Sequence, residues 1–216
     1  MGEAPSMHRT RIKICGITRA EDALCAVDNG ADAVGVIFAW SARQVTVAQA
    51  AAVLVDVPPA VARIGVFVDP ALDEIEEAVL ACGLTAVQLS GHESPELCDA
   101  VSVPVLKAIH IGTDFDSETV EPFRGHAAAL LLDTLVSGKA GGTSQVFDWQ
   151  TIGVLPGWAR SFVAGGLHPG NVAACIVALR PFAVDVSSGV ETSPGIKDPN
   201  KIAAFCAAVR DADLEA

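Results

Sequence analysis

A thiol closes the segment RIKIC at Cys15, and a carboxylate closes the apolar run AAALLLD at Asp133. A deprotonated thiol is a base. A partly desolvated carboxyl is an acid whose pKa rises toward neutrality. An acid straight after a hydrophobic run is costly to bury unless it is paired or used. The plainer alternatives are a capping aspartate and a cysteine acting as a small buried hydrophobe. Two small-residue stretches, AGGL and DVSSGVE, carry Gly165, Gly166, Ser187, Ser188 and Gly189. Glycine allows close backbone approach and a following helix start offers N–H groups, so these read as phosphate loops rather than simple turns. Arg43 in WSARQV can grip a carboxylate with two parallel N–H groups, although a surface arginine is as common. Lys107 in VLKAIH suits a Schiff base only if its pKa is depressed, and a structural lysine is the commoner case. His92 and His110 lack partners at ligand spacing, so no metal is expected.

Groups scattered from residue 15 to residue 189 can act together only if the fold gathers them. Short runs rich in Val, Ile and Leu recur at 11–15, 32–38, 63–68, 85–90, 103–109, 127–133, 159–166 and 182–188. The segments between them have helical periodicity, weakest around Phe115–Phe123 and Asp148–Leu155. Thr46, Ser94 and Asp198 are candidate N-caps, and Gly83 is a helix stop. Eight strand–helix units in this length predict a closed (β/α)₈ TIM barrel, an α/β fold, as one domain over residues 11–216 after a disordered lead-in over 1–10. The active site of such a barrel lies at the C-terminal ends of the strands. Those ends include Cys15, Gln88, Lys107, Asp133, Gly165, Gly166 and Ser187. The long glycine-rich loop SGKAGGTSQVFDW at 137–149, with Lys139, reads as a lid over that face or as a solvent-exposed excursion.

The bulk numbers exclude several classes. A formal charge of −12 disfavours nucleic acid and anionic membrane as partners, so any anion must be held locally. Six cysteines without C-x-x-C spacing predict free thiols in a reducing, cytoplasmic compartment. The N-terminal MGEAPSMH lacks the apolar core of a signal peptide, and no run suits a membrane span.

The stretches KICGITRAEDA, GADAVGVIF, S-x-R at 41–43, RIGVFV, VQLSGHE, LLDT, GGTSQVFDW, AGGLHPGNV and VDVSSGVETSPGIKD resemble, in order, the phosphoribosylanthranilate isomerases of tryptophan biosynthesis. The resemblance implies an Amadori rearrangement of N-(5-phosphoribosyl)anthranilate without cofactor or metal. It places Cys15 as general base, Asp133 as general acid and Arg43 on the anthranilate carboxylate. Gly165, Gly166, Ser187, Ser188 and Gly189 fall on the phosphate loops. Gln88, Gly142 and Asp185 complete the expected substrate-binding set. A thiol is a poor base at neutrality, so the Cys15 pKa is expected to be lowered, with Lys13 and backbone N–H groups as helpers.

Three departures from the family pattern stand at Ala42 with Gln44, at Ser90 and at Ser144. Loss of the usual proline at 42 is expected to loosen the loop that aims Arg43. The competing readings are a related histidine-pathway sugar-phosphate isomerase and a barrel that binds a phosphorylated ligand without turnover. A monomer is the expected state, with a homodimer as the alternative.

Overall fold

All eight expected strands form, each within two residues of its expected bounds, in a computed structural model that describes residues 9–112, 117–133 and 157–215. They are β1 (Arg11–Ile14), β2 (Ala33–Ile37), β3 (Ala62–Phe67), β4 (Ala86–Leu89), β5 (Val105–His110), β6 (Ala129–Asp133), β7 (Arg160–Ala164) and β8 (Ala183–Val186). Neighbours pair in chain order, all parallel, and β1 pairs with β8 to close the barrel.

Strand parity divides the apolar residues into two cores. Ile12, Ile14, Val34, Val36, Leu130, Leu132, Val184 and Val186 face outward and pack under the helices. Leu106, Ala108, Ala129, Leu131, Phe162 and Ala164 pack together inside the barrel. Burying each larger apolar side chain stabilises by about 1.5–3 kcal/mol. Both faces of every strand are thus covered, as a parallel sheet requires. At the N-terminal end of the barrel the guanidinium groups of Arg11 and Arg160 lie 4.4 and 5.3 Å from the centroid of the Phe182 ring.

The helices are α1 (Ala20–Asp28), α2 (Val47–Leu54), α3 (Leu72–Cys82), α4 (Pro95–Ala100), α5 (Val172–Leu179) and α6 (Pro199–Glu215). Thr46 opens α2 with a capping box, accepting from the Gln49 N–H while Gln49 Oε1 accepts from the Thr46 N–H. Gly83 ends α3 in the left-handed region at φ 59°. Asp198 accepts the Asn200 N–H at 2.9 Å at the start of α6. Ser94 precedes α4 but makes no capping bond, and Pro95 supplies the first helical position instead.

The helix expected near Phe115–Phe123 is a 3₁₀ segment, Ser117–Phe123, containing Pro122. Proline removes a donor and clashes with a preceding carbonyl, which works against α-helical continuation. The helix expected at Asp148–Leu155 lies outside the described residues, as does the lead-in up to residue 8. Residues 9 and 10 of that lead-in are tied down: Arg9 pairs with Asp32, and Thr10 bonds the Asp213 carboxylate through its N–H at 2.8 Å and its hydroxyl at 2.6 Å.

After β8 the chain makes a 3₁₀ turn, Ser188–Val190, and then a two-stranded hairpin of β9 (Glu191–Ser193) and β10 (Ile196–Lys197). This hairpin was not expected, and it matters below. Among the described residues no helix is long and apolar enough to cross a membrane.

Candidate active site

The inward parity of β1 turns Lys13 and Cys15 toward the barrel axis and the mouth. Lys13 is fully buried, and its Nζ donates to Gln88 Oε1 and to Asp185 Oδ2, both at 2.8 Å. Three strands, β1, β4 and β8, are therefore joined across the interior by one ammonium. Gln88 Nε2 donates onward to Ser90 Oγ at 3.0 Å, which holds the amide with its oxygen toward Lys13. Ser90 thus has a partner of its own.

Gly35 in β2 explains how a thiol fits beside this group. A Cβ at Gly35 would come within 2.8 Å of Cys15 Sγ and 3.3 Å of Lys13 Cε. Glycine inside a strand marks such a close approach. The Cys15 N–H bonds the Val186 carbonyl at 2.8 Å, fixing the thiol beside β8.

Asp133 ends β6 and pairs in register with His110 and Ala164. Burial pushes its carboxyl up, and Asp185 adds to this, while His110 and Lys13 oppose it. The raised value expected for an acid is what the structure supports.

The direction expected for Cys15 is overturned. Burial pushes the thiol above its usual range and Asp185 adds to that, so Lys13 only offsets part of the rise. The expectation weighed the Lys13 cation and left out the desolvation imposed by burial in the barrel. Lys13 itself stays charged: burial alone would lower it, but Asp185 and Cys15 more than compensate.

Lys107 does not reach the mouth. Leu106 and Ala108 take the inward positions, so Lys107 points out toward the helix layer. There its Nζ bonds Gly91 O and Glu93 Oε2 at 2.7 Å and Leu89 O at 3.3 Å. A lysine so tied has no Schiff-base role. His92 is exposed and contacts Asp69, and exposed His110 reaches the Ser90 carbonyl at 3.3 Å.

Arg43 comes to the mouth from the β2–α2 connection. Its Nε and Nη2 clasp the two oxygens of Glu191, each at 2.7 Å. The loop is not loosened by Ala42. The Arg43 N–H bonds Ser41 Oγ at 3.0 Å, the Gln44 N–H bonds Ser41 O at 3.1 Å, and Gln44 Nε2 bonds Phe38 O at 2.8 Å. Gln44 thus ties the loop back to Phe38 at the end of β2.

The two glycine loops meet. Gly165 and Gly166 have φ of 90° and 64°, conformations that favour glycine. A Cβ at Gly189 would lie 1.9 Å from the Leu167 carbonyl oxygen, so the turn after β8 is packed directly on the backbone of the loop after β7. Ser187 is tied to this corner by Lys197, whose Nζ lies 3.2 Å from its carbonyl and 3.4 Å from its hydroxyl. Gly142, Lys139, Ser144 and the loop 137–149 lie outside the described residues.

The fold therefore brings Cys15, Arg43, Gln88, Asp133, Gly165, Gly166, Asp185, Ser187, Ser188 and Gly189 to one end of the barrel, at or just beyond the C-terminal ends of its strands. Sequence reasoning missed Glu191 and Lys197, although the stretch VDVSSGVETSPGIKD contains both, and it missed Gly35. A cavity of about 620 Å³ lies elsewhere, against the outer sides of β2 and β3, lined by Phe38, Val47, Phe67, Glu74 and Glu77 among others. None of the candidate acid, base or anion-binding residues lines it, so the chemistry is assigned to the mouth.

The chain is similar to known proteins over most of its length. The family described as N-(5′phosphoribosyl)anthranilate (PRA) isomerase matches residues 12–208. The N-(5′-phosphoribosyl)anthranilate isomerase of Nitrosospira multiformis is 46% identical over 198 residues, covering 90% of this chain and 94% of the relative. The crystal structure of phosphoribosyl anthranilate isomerase from Thermotoga maritima, a protein also described as dimeric, superposes with a TM-score of 0.86 at 41% identity, covering 94% and 99% of the two chains. A phosphoribosyl anthranilate isomerase in complex with reduced 1-(o-carboxyphenylamino)-1-deoxyribulose 5-phosphate superposes with a TM-score of 0.82 at 40% identity, again covering 94% and 99%.

Proposed function

This chain belongs to the N-(5′-phosphoribosyl)anthranilate isomerase family, and within that aldose–ketose isomerase we propose that Cys15 is the general base and Asp133 the general acid. The reaction is the rearrangement of N-(5′-phosphoribosyl)anthranilate to its 1-deoxyribulose phosphate isomer, a step of tryptophan biosynthesis. One observation carries the assignment of roles: a single buried ion pair, Lys13–Asp185, is an electrostatic neighbour of both groups.

Asp133 gives its proton to the furanose ring oxygen. The C1–O bond breaks as the anthranilate nitrogen lone pair forms a C1=N iminium. The iminium acidifies the C2–H, and the Cys15 thiolate takes that proton while the C–H electrons return through C1 to nitrogen. The resulting enolamine tautomerises to the ketone. Each proton transfer from a positioned group contributes roughly 10²–10⁴-fold. Lys13 is the counter-ion for the thiolate, and Gln88 holds Lys13 in place.

Asp185 Oδ1 is buried and without a partner among the described residues, which supports its use as an acceptor for a substrate hydroxyl or N–H. Arg43 meets the anthranilate carboxylate. Gly165, Gly166, Ser187, Ser188 and Gly189 hold the phosphate, with Gly142 on the lid side. All six cysteines are free, which supports the cytoplasmic placement. The most exposed large apolar side chains, Trp40, Val55, Leu80, Val177 and Leu214, are spread over the β2–α2 connection, the residue after α2, and α3, α5 and α6, which supports a monomer.

The test is the loss of substrate fluorescence on mixing with freshly generated phosphoribosylanthranilate. Cys15→Ala and Asp133→Ala are each expected to lower kcat by roughly 10²–10⁴-fold while the circular dichroism of the barrel is kept. Near-parental turnover in either variant removes that residue from its role.

A further inference from the structure

The guanidinium of Arg43 has five N–H donors around a planar fork, and one edge is already taken. Nε and Nη2 face Glu191, leaving Nη1 and the second Nη2 proton for another acceptor. Glu191 is a buried carboxylate, its side chain 5% exposed, with four donors on its two oxygens. Besides Arg43, its Oε1 accepts Lys197 Nζ at 2.8 Å and the Gly195 N–H at 3.2 Å. Lys197, also buried, reaches on to Ser187 beside the glycine corner. The Arg43 stem itself runs over Gly16 next to Ser187: a Cβ at Gly16 would lie 2.5 Å from Arg43 Cδ and 2.8 Å from Ser187 Oγ.

We infer that Glu191 is a positioning residue that decides which edge of Arg43 meets the substrate carboxylate, and that through Lys197 it ties this edge to Ser187 of the phosphate corner. The inference rests on the reading of Arg43 given above. Two cations share one carboxylate, so the cluster carries a surplus positive charge in a chain of formal charge −12. That surplus is available to an anion, and the side-on grip by Glu191 leaves only the end-on pair of donors to receive it. The hairpin β9–β10 exists, on this view, to present Glu191 and Lys197 from either strand to a loop that arrives from β2.

The experiment is a double-mutant cycle on kcat and KM with Glu191→Gln, Arg43→Ala and the two combined, alongside inhibition by free anthranilate. Glutamine keeps the shape but places an N–H₂ against one of the cations. Glu191→Gln is expected to raise KM and weaken anthranilate by roughly 10- to 100-fold, the scale of a mis-aimed binding group, with a smaller change in kcat. Because Glu191 acts through Arg43, the combined variant is expected to bind no worse than Arg43→Ala alone. A full additional loss in the Arg43→Ala background overturns the inference, as does an unchanged KM in Glu191→Gln when Arg43→Ala raises it. If Arg43→Ala itself leaves KM and anthranilate inhibition unchanged, the reading of Arg43 as the carboxylate group fails first. Should Glu191→Gln not fold, Glu191→Asp decides. The shorter carboxylate keeps the charge but cannot hold the Arg43 fork in the same place, so anthranilate is expected to bind more weakly than in the parent, and parental affinity overturns the proposal.

Discussion

Burial lifts the titration of both groups proposed as base and acid, Cys15 and Asp133, and this shapes the expected pH profile. The proposed reaction needs the thiolate and the carboxylic acid, whereas a carboxyl ordinarily titrates well below a thiol. The competent form is therefore a minority at every pH. Its share grows as pH rises to the Asp133 value, because thiolate increases while the acid stays protonated. It is level between the two values, and it falls above the Cys15 value, where thiolate is complete and protonated Asp133 still declines. The acidic limb of kcat/KM therefore reports the carboxyl and the alkaline limb the thiol, in the sense that coupled groups have shared titrations. The alkaline limb is expected to coincide with the ultraviolet titration of the thiolate in the free enzyme. Lys13→Met removes a cation that lowers both groups, so both limbs move to higher pH. The same change leaves buried Asp185 unpaired at a cost of about 3–5 kcal/mol, measurable by urea unfolding. An alkaline limb that stays in place would remove Lys13 as counter-ion to the thiolate.

At the level of elements, two backbones in contact form the corner proposed to hold the phosphate. With 1.9 Å between a Gly189 Cβ and the Leu167 carbonyl oxygen, Gly189→Ala must part the loops after β7 and β8. Overpacking of this kind costs about 1–3 kcal/mol. The variant is expected to bind inorganic phosphate and substrate at least about tenfold more weakly, as a misplaced subsite does. Calorimetric titration with phosphate checks this, and unaltered phosphate affinity would place the phosphate elsewhere. The eight strands and the caps at Thr46 and Asp198 were legible because they depend on neighbours in the chain: runs of β-branched residues, and a cap bonding residues two or three ahead. Cys15, Asp133 and the glycine loops were legible as strand ends for the same reason. The orientation of Lys107 was not, since β5 is apolar on both faces and offers no alternation from which to read parity. Nor was Glu191 as the partner of Arg43, because 148 residues separate them and their contact rests on a hairpin of five strand residues with little periodicity. The thiol's titration was misjudged because desolvation is imposed by strands distant in the chain.

Across the whole molecule, charge is distributed against its average. The chain is strongly acidic, yet Lys13, Arg43 and Lys197 gather at one end of the barrel, two of them fully buried, with Lys13 paired to Asp185 and the other two sharing Glu191. An anionic substrate bound at the mouth, as proposed, meets this cluster where low dielectric strengthens each contact. The ring of strands closed by β1 on β8, with Thr10 held by Asp213 of α6, has another consequence. The first and last elements are neighbours in space, so the point at which synthesis starts is separable from the shape that results. A circular permutant with the original ends joined by a short glycine–serine linker, and a new break between exposed Pro59 and Ala60 below β3, gives up little beyond one turn bond, Val61 N–H to Pro58 O. It is expected to refold cooperatively and turn over substrate within about tenfold of the parent chain, because the break lies at the opposite end of the barrel from Cys15 and Asp133. Strand order would then be a property of the circle and not of the thread, so any exposed turn at that lower rim could serve as a birthplace for the chain.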